Sequence, residues 1–219
     1  LINGQGEMLS ETITPLTRAS YPTSQWVKGA LAEGVISLLI PGLASSDDTY
    51  VELSLLTSEG DPVGKPVRLA ENLLVEPWAL VTELPPITNP LQANFGEPTL
   101  VELPGYALSA TTAQPGDTFD LTLYWQAQQP ISVNYLVFVH LVDAQENVWG
   151  QATGVPVNGS RPTLSWRMDE VLLDNRPLVI GSDVPPGQYN LWEGFFEPDS
   201  GLRLPVSGAA ADPANGRVL

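Results

Sequence analysis

The chain has 219 residues, no cysteine, and 9 Lys+Arg against 25 Asp+Glu, giving a net charge of −16 and an isoelectric point near 4.1. Such a surface repels phosphate backbones and anionic headgroups, which argues against nucleic acid as a partner. Without cysteine, disulfide frameworks and thiolate metal sites are excluded.

No Lys or Arg occurs between Arg68 and Arg161, and no apolar run approaches the roughly 18 residues of a membrane-crossing helix. Few lysines, 21 prolines and 19 glycines fit an exported protein better than a cytosolic enzyme. Residues 1–26 align without a gap on residues 141–166. Leu1, Gln5, Ser20, Pro22, Thr23 and Trp26 fall on Leu141, Gln145, Ser160, Pro162, Thr163 and Trp166. The same register places Leu38 and Ile40 on Leu178 and Ile180, and a one-residue slip then sets Tyr50, Pro66 and Val67 on Tyr189, Pro205 and Val206. Self-similarity at this spacing predicts two domains. Segments 35–41, 50–56 and 73–75 read as the closing strands of a first sandwich within residues 1–82. Residues 83–95, rich in proline and weak in periodicity, read as the linker.

The second unit, residues 96–219, carries cleaner strand signals. Residues 99–103 start it, and 105–110 lead into the turn Gln114-Pro115-Gly116-Asp117. Residues 118–127 alternate, with Phe119, Leu121, Leu123 and Trp125 on one face and Asp120, Thr122, Tyr124 and Gln126 on the other. Residues 134–142 are apolar on both faces, as a central strand covered on two sides would be. Segments 147–152, 171–174, 178–180 and 189–196 follow, separated by Gly/Pro turns. The prediction is an all-β fold of two immunoglobulin-like antiparallel β-sandwich units in tandem. The first unit is expected to be incomplete, because counterparts of 118–127 and 134–140 would lie upstream of Leu1. A longer chain or a neighbouring one would have to supply them, the latter by strand addition into a surface appendage.

The succession LPGYALSA, PGDTFDLTLYWQA, NYLVFVHLVDAQENV, PVNGSRPTLSW, PPGQYNLWEGFF and GLRLPV resembles a β-sandwich domain found at the C-terminal end of bacterial multi-spanning glycosyltransferases of the dolichyl-phosphate-mannose type, and in other exported bacterial proteins. The resemblance covers 96–219 closely and 1–75 as a degenerate copy. It implies an extracellular or cell-surface location and a non-catalytic role, and it brings no site residues. The chain departs from that pattern at Glu193, where the family has a small aliphatic residue, and in the turn glycines missing from the first unit.

Chemistry-bearing residues are few. His140 is the only histidine, which excludes sites needing two imidazoles, and its place near Asp143 reads as a structural histidine at a sheet end. Asp169, Glu170, Asp174 and Glu193 form a carboxylate pool for glycoside hydrolysis. No spacing singles out a pair, and the first copy carries Gly29, Ala30 and Gly34 opposite the first three, so they read as solvated loop charge. In YNLWEGFF, alternation places Glu193 with Tyr189, Leu191 and Phe195 on the core face, where it needs a partner. Arg203, beyond the next turn, is the expected one. Trp149, Trp192 and Tyr124 fall on outward faces and form the candidate platform for stacking a sugar ring. Trp26 and Trp166, in the same P-T-x-x-W context, read as core or corner packing.

No metal site or cofactor is expected. The oxygen-rich loops Ser46-Asp47-Asp48 and Glu197-Pro198-Asp199-Ser200 lack the spacing of known calcium loops. The resulting expectation is a non-catalytic surface module with a structural or protein-interaction role, whose partners are other copies or adjacent domains of a longer chain. The alternative is a carbohydrate-binding module.

Overall fold

The computed structural model describes residues 1–15, 23–31, 33–40, 46–76 and 78–218. Ser20, Pro22 and Pro41 lie outside them, as do the side chains of Ser46 and Asp47. The protein is all-β with antiparallel sheets, in two compact units, Leu1–Trp78 and Ala79–Leu219.

The regular part of the first unit is a ribbon of β1 (Ser46–Leu56) and β2 (Pro62–Val75). Its two faces differ. Leu53 pairs Val67 and Leu55 pairs Val63, which with Val51 makes one face apolar. On the other face Glu52 pairs Arg68, whose guanidinium lies 3.8 Å from the centre of the Tyr50 ring. Residues 35–40, expected as a strand, form none. Their counterparts in the second unit pair with a strand that has no equivalent among the described residues of the first.

The second unit is a sandwich of two five-stranded sheets. One contains β3 (Asn89–Phe95), β4 (Val101–Leu108), β5 (Thr118–Ala127), β8 (Val171–Val179) and β10 (Val206–Ser207) in the order β10-β3-β4-β5-β8. The other contains β6 (Leu136–Val142), β7 (Val148–Gly154), β9 (Asn190–Phe196), β11 (Ala211–Asp212) and β12 (Arg217–Val218) in the order β11-β12-β9-β6-β7. The expected alternation of β5 holds, with Phe119, Leu121, Leu123 and Trp125 all in the core. Segments 171–174 and 178–180, read as separate strands, are the two ends of β8. Phe95, Trp125 and Phe195 meet at centroid distances of 4.7 to 5.8 Å, and Trp166 sets its edge on Phe195 at 6.1 Å. These rings are the largest apolar surfaces in the domain and knit the two sheets together.

The linker reading is corrected. Residues 89–95 are β3, which pairs with β4 and sends Ala93 and Phe95 into the core. Earlier in the same stretch, Val81 O accepts the amide of Val171 at the start of β8, and Ile87 packs against Gly105 of β4 so closely that a Cβ there would stand 2.4 Å from it. The segment crosses the outer face of the sheet. Its prolines fit that role because it joins no ladder before β3, and Pro90 sits at the start of a strand just before a register shift.

The repeat is legible bond by bond. Asn3 and Glu7 exchange the backbone bond that Asp143 and Asn147 exchange, and the side-chain oxygens of Asn3 and Asp143 each accept the amides two and four residues on. Gly6 (φ 83°) matches Glu146 (φ 65°), and Gly29 (φ 88°) matches Asp169 (φ 63°). Short 3-10 turns stand at Thr23–Gln25 and Thr163–Ser165. Ile2 bridges Met8 and Tyr50 as Val142 pairs Val148 and Asn190. Tyr50 therefore occupies the place of Asn190, and the one-residue slip that set it on Tyr189 does not occur at this point.

The two tryptophans part company. Trp166 is 3% exposed and its indole N–H donates to Arg161 O at 3.0 Å, whereas Trp26 is 38% exposed. The core reading holds for Trp166 alone, since the cluster that receives it is built from β3, β5 and β9.

Candidate functional site

The side chains expected to matter sit at three places in the second unit. The first is the edge strand β8, where Leu172, Asp174, Arg176 and Leu178 alternate inward. Asp174 is fully buried. Its Oδ2 accepts the Trp125 indole N–H at 3.2 Å and Arg176 Nε at 2.9 Å, and its Oδ1 accepts the Val157 amide at 2.8 Å. Arg176 also donates to Gly154 O at 3.2 Å. The node ties β8 to the end of β7 and the loop beyond it, and holds Val157 and Asn158 at φ near +50°. Inward charges on an edge strand also discourage unwanted pairing with other chains.

The second place is Glu170, 1% exposed. Its Oε2 accepts Arg161 Nη2 at 2.8 Å and the Arg167 amide at 3.0 Å, and its Oε1 accepts Arg167 Nη2 at 3.0 Å. Burial pushes its pKa upward, but the hydrogen bonds from Arg167 and the bond and charge of Arg161 outweigh it, leaving the carboxylate below the usual range. The reading of Glu170 and Asp174 as solvated loop charge is therefore corrected: both anchor buried ion-pair nodes.

The third place is the β9 sheet. Glu193 does face the core: it pairs with Val139 of β6 and Val218 of β12, between residues of the apolar cluster. Burial raises its pKa to about 8. The expected Glu193–Arg203 pair is absent, for a reason of parity. Arg203 bridges Phe196, which places it on the opposite face from Glu193. There its guanidinium lies 4.4 Å from the Phe138 ring centre and donates to Asn215 O at 2.8 Å.

That outer face covers the aromatic residues read as exposed. Trp192 is only 8% exposed, with the Arg217 guanidinium 3.2 Å from its ring centre. Arg217 is itself paired with Asp212 at 2.8 Å and Glu146 at 3.1 Å. Beside it, a Cβ on Gly194 would stand 2.8 Å from Gly216 O, so the C-terminal loop lies directly on β9. Tyr124 is 7% exposed and lies in the other sheet, paired with Gly105 under the segment that carries Ile87. Trp149 is half-buried and its indole N–H donates to Asp143 Oδ2 at 2.8 Å. The outward reading of all three is corrected, and they form no common surface.

Asp143 is the centre of the β6–β7 turn. Its pKa is lowered to about 2 by the hydrogen bonds from Trp149, then Asn147, with Gln145 contributing less. With that carboxylate engaged, His140 packs at 5.2 Å on Phe138 in mid-strand, and burial together with the charge of Arg203 lowers its pKa. It is a neutral packing residue.

Sequence reasoning missed the two ion-pair nodes, although a signal existed. Arg161, Arg167 and Glu170 stand opposite Tyr21, Val27 and Ala30, and Asp174 and Arg176 opposite Gly34 and Ile36. Charged groups that disappear together between copies are groups that need one another.

Among the described residues no three His, Asp or Glu converge as metal ligands, and no helix is long and apolar enough to cross a membrane. No family model, curated protein or solved structure matches the chain.

Proposed function

We propose that this chain is a non-catalytic module exposed on a bacterial cell surface, and that it engages other polypeptides through its first unit. The observation that carries this is the ribbon β1–β2, whose faces are sharply different. Its apolar face presents Leu55, Val63 and Val67 at 41, 51 and 57% exposure, while Phe195, at the place of Leu55 in the second copy, is fully buried. Apolar surface of this kind, rimmed by polar residues, marks interaction sites. The strongly acidic chain and the resemblance to domains of exported bacterial proteins support the location. The carbohydrate-binding alternative finds little support, since Tyr124 and Trp192 are covered and the Trp149 indole is held by Asp143.

Binding of an apolar fluorescent dye to the full chain tests the reading. Dye should bind, and Leu53→Asp together with Val67→Asp should abolish binding while the near-ultraviolet signal of the second unit persists. A chain that binds no dye contradicts it.

A further inference from the structure

We infer that the free edge of β1 accepts an extended strand of another polypeptide, running antiparallel to β1 opposite residues 52–56, with apolar side chains at alternate positions. This rests on the interaction reading above and gives it a place, a direction and a register. Tyr50 exchanges both backbone bonds with Ile2, at 3.0 and 2.9 Å. The N–H and C=O of Tyr50 therefore point away from β2, and by the alternation of an extended chain those of Glu52 and Ser54 do as well. Among the described residues, β1 beyond Tyr50 is paired only with β2.

The second unit shows what such an edge takes. Its equivalent strand, β9, is paired along its whole length by β6, with His140 opposite Trp192, Val139 opposite Glu193, Phe138 opposite Gly194, Val137 opposite Phe195 and Leu136 opposite Phe196. The bridges of Ile2 and of Val142 lie at matching places, so the same register carries over. A strand seated on β1 meets Leu1 at Val51 and has five places, opposite Glu52 to Leu56. Its side chains opposite Leu53 and Leu55 join the apolar face, which is the face left uncovered. Those opposite Glu52 and Ser54 lie on the face of Tyr50 and Arg68, where polar groups are at home. Strand addition of this kind takes affinity from main-chain bonds and specificity from alternate side-chain positions.

The donor is a different polypeptide rather than a second copy. In this chain the strand that fits best is β6, which is held on both sides by β7 and β9 and carries Val137, Val139 and Leu141 in the core. A second copy would have to unfold its second unit to release it. The second unit also offers no competing acceptor edge on β9, whose partners are β6 and β12.

The test uses a labelled peptide with the sequence of residues 134–140, NYLVFVH, carrying two added lysines for solubility, titrated into the full chain. Saturable one-to-one binding is expected, with slowed exchange of the Glu52 and Ser54 amides and none gained along β9. A peptide of the same composition with its alternation scrambled should bind at least about tenfold more weakly. Ser54→Pro removes an amide that faces the free edge, where proline is tolerated, and should weaken binding by a similar factor with an unchanged circular dichroism spectrum. Peptide binding that ignores both changes overturns the register. No peptide binding, with the dye still bound, overturns strand addition and leaves the interaction surface standing. Concentration-dependent self-association at this face makes a second copy the occupant, and loss of both peptide and dye binding removes both proposals.

Discussion

The turn at Asn3 to Glu7 and the turn at Asp143 to Asn147 make the same bonds, yet one opens a ribbon with a bare apolar face and the other sits on a closed sandwich. The difference separates two kinds of information in a sequence. Turn geometry is settled by a few neighbouring residues, so it survives when the surroundings change. Burial is settled by strands far away in the chain, and Trp26 and Leu55 are exposed where Trp166 and Phe195 are buried because β3, β4 and β5 have no counterparts among the described residues of the first unit.

The sharpest way to break the closed copy is at the nodes that the open copy lacks. Asp174→Ala leaves Arg176 and the Trp125 indole buried without their acceptor, and should cost about 3–5 kcal/mol of stability in denaturant titration. The first unit has Gly34 at that place, so its own signals should not move.

Glu193→Leu moves the second unit toward the first, which has Leu53 at the equivalent position. The folded pKa of Glu193, about 8, lies above the ordinary value of 4.5. The native state therefore holds the proton that the unfolded state releases, and stability is highest below the unfolded value and falls as pH rises through 8. The loss by neutral pH is about 3 kcal/mol. The substitution should raise the melting temperature at pH 8 and flatten the slope between pH 5 and 8; an unchanged slope would show that another group titrates.

Asp143→Asn should have the smallest effect, because Asn3 already makes both backbone contacts with an amide oxygen. The depressed pKa of Asp143, about 2, gives stability that is present above its unfolded value and lost as pH falls through 2. The variant should remove that acid limb from a thermal melting series and change little at neutral pH.

Much of the fold was legible in the sequence for the same reason that the turns repeat. The alternation of β5, the two apolar faces of β6 and the inward direction of Glu193 are local periodicities, and each holds in the structure. What was not legible depends on distant segments. Tyr124 and Trp192 point outward as alternation requires, but Ile87 and Arg217 arrive to cover them. Arg203 follows the right turn and emerges on the wrong face, because its bridge to Phe196 sets its parity. The prolines before β3 suggested a linker, since proline marks an unpaired backbone without saying whether a sheet lies beneath it. The ion-pair nodes were legible, but only by asking which residues vanish together between the copies.

Residue-resolved amide hydrogen exchange of the full chain tests the central claim, that two copies sharing turns differ in closure. The account predicts slow exchange along residues 191–195 and, at the equivalent places 51–55, fast exchange for the amides on the free side of β1. Equal protection of the two strands would mean that the first unit is closed, and would contradict both the interaction surface and the strand-accepting edge.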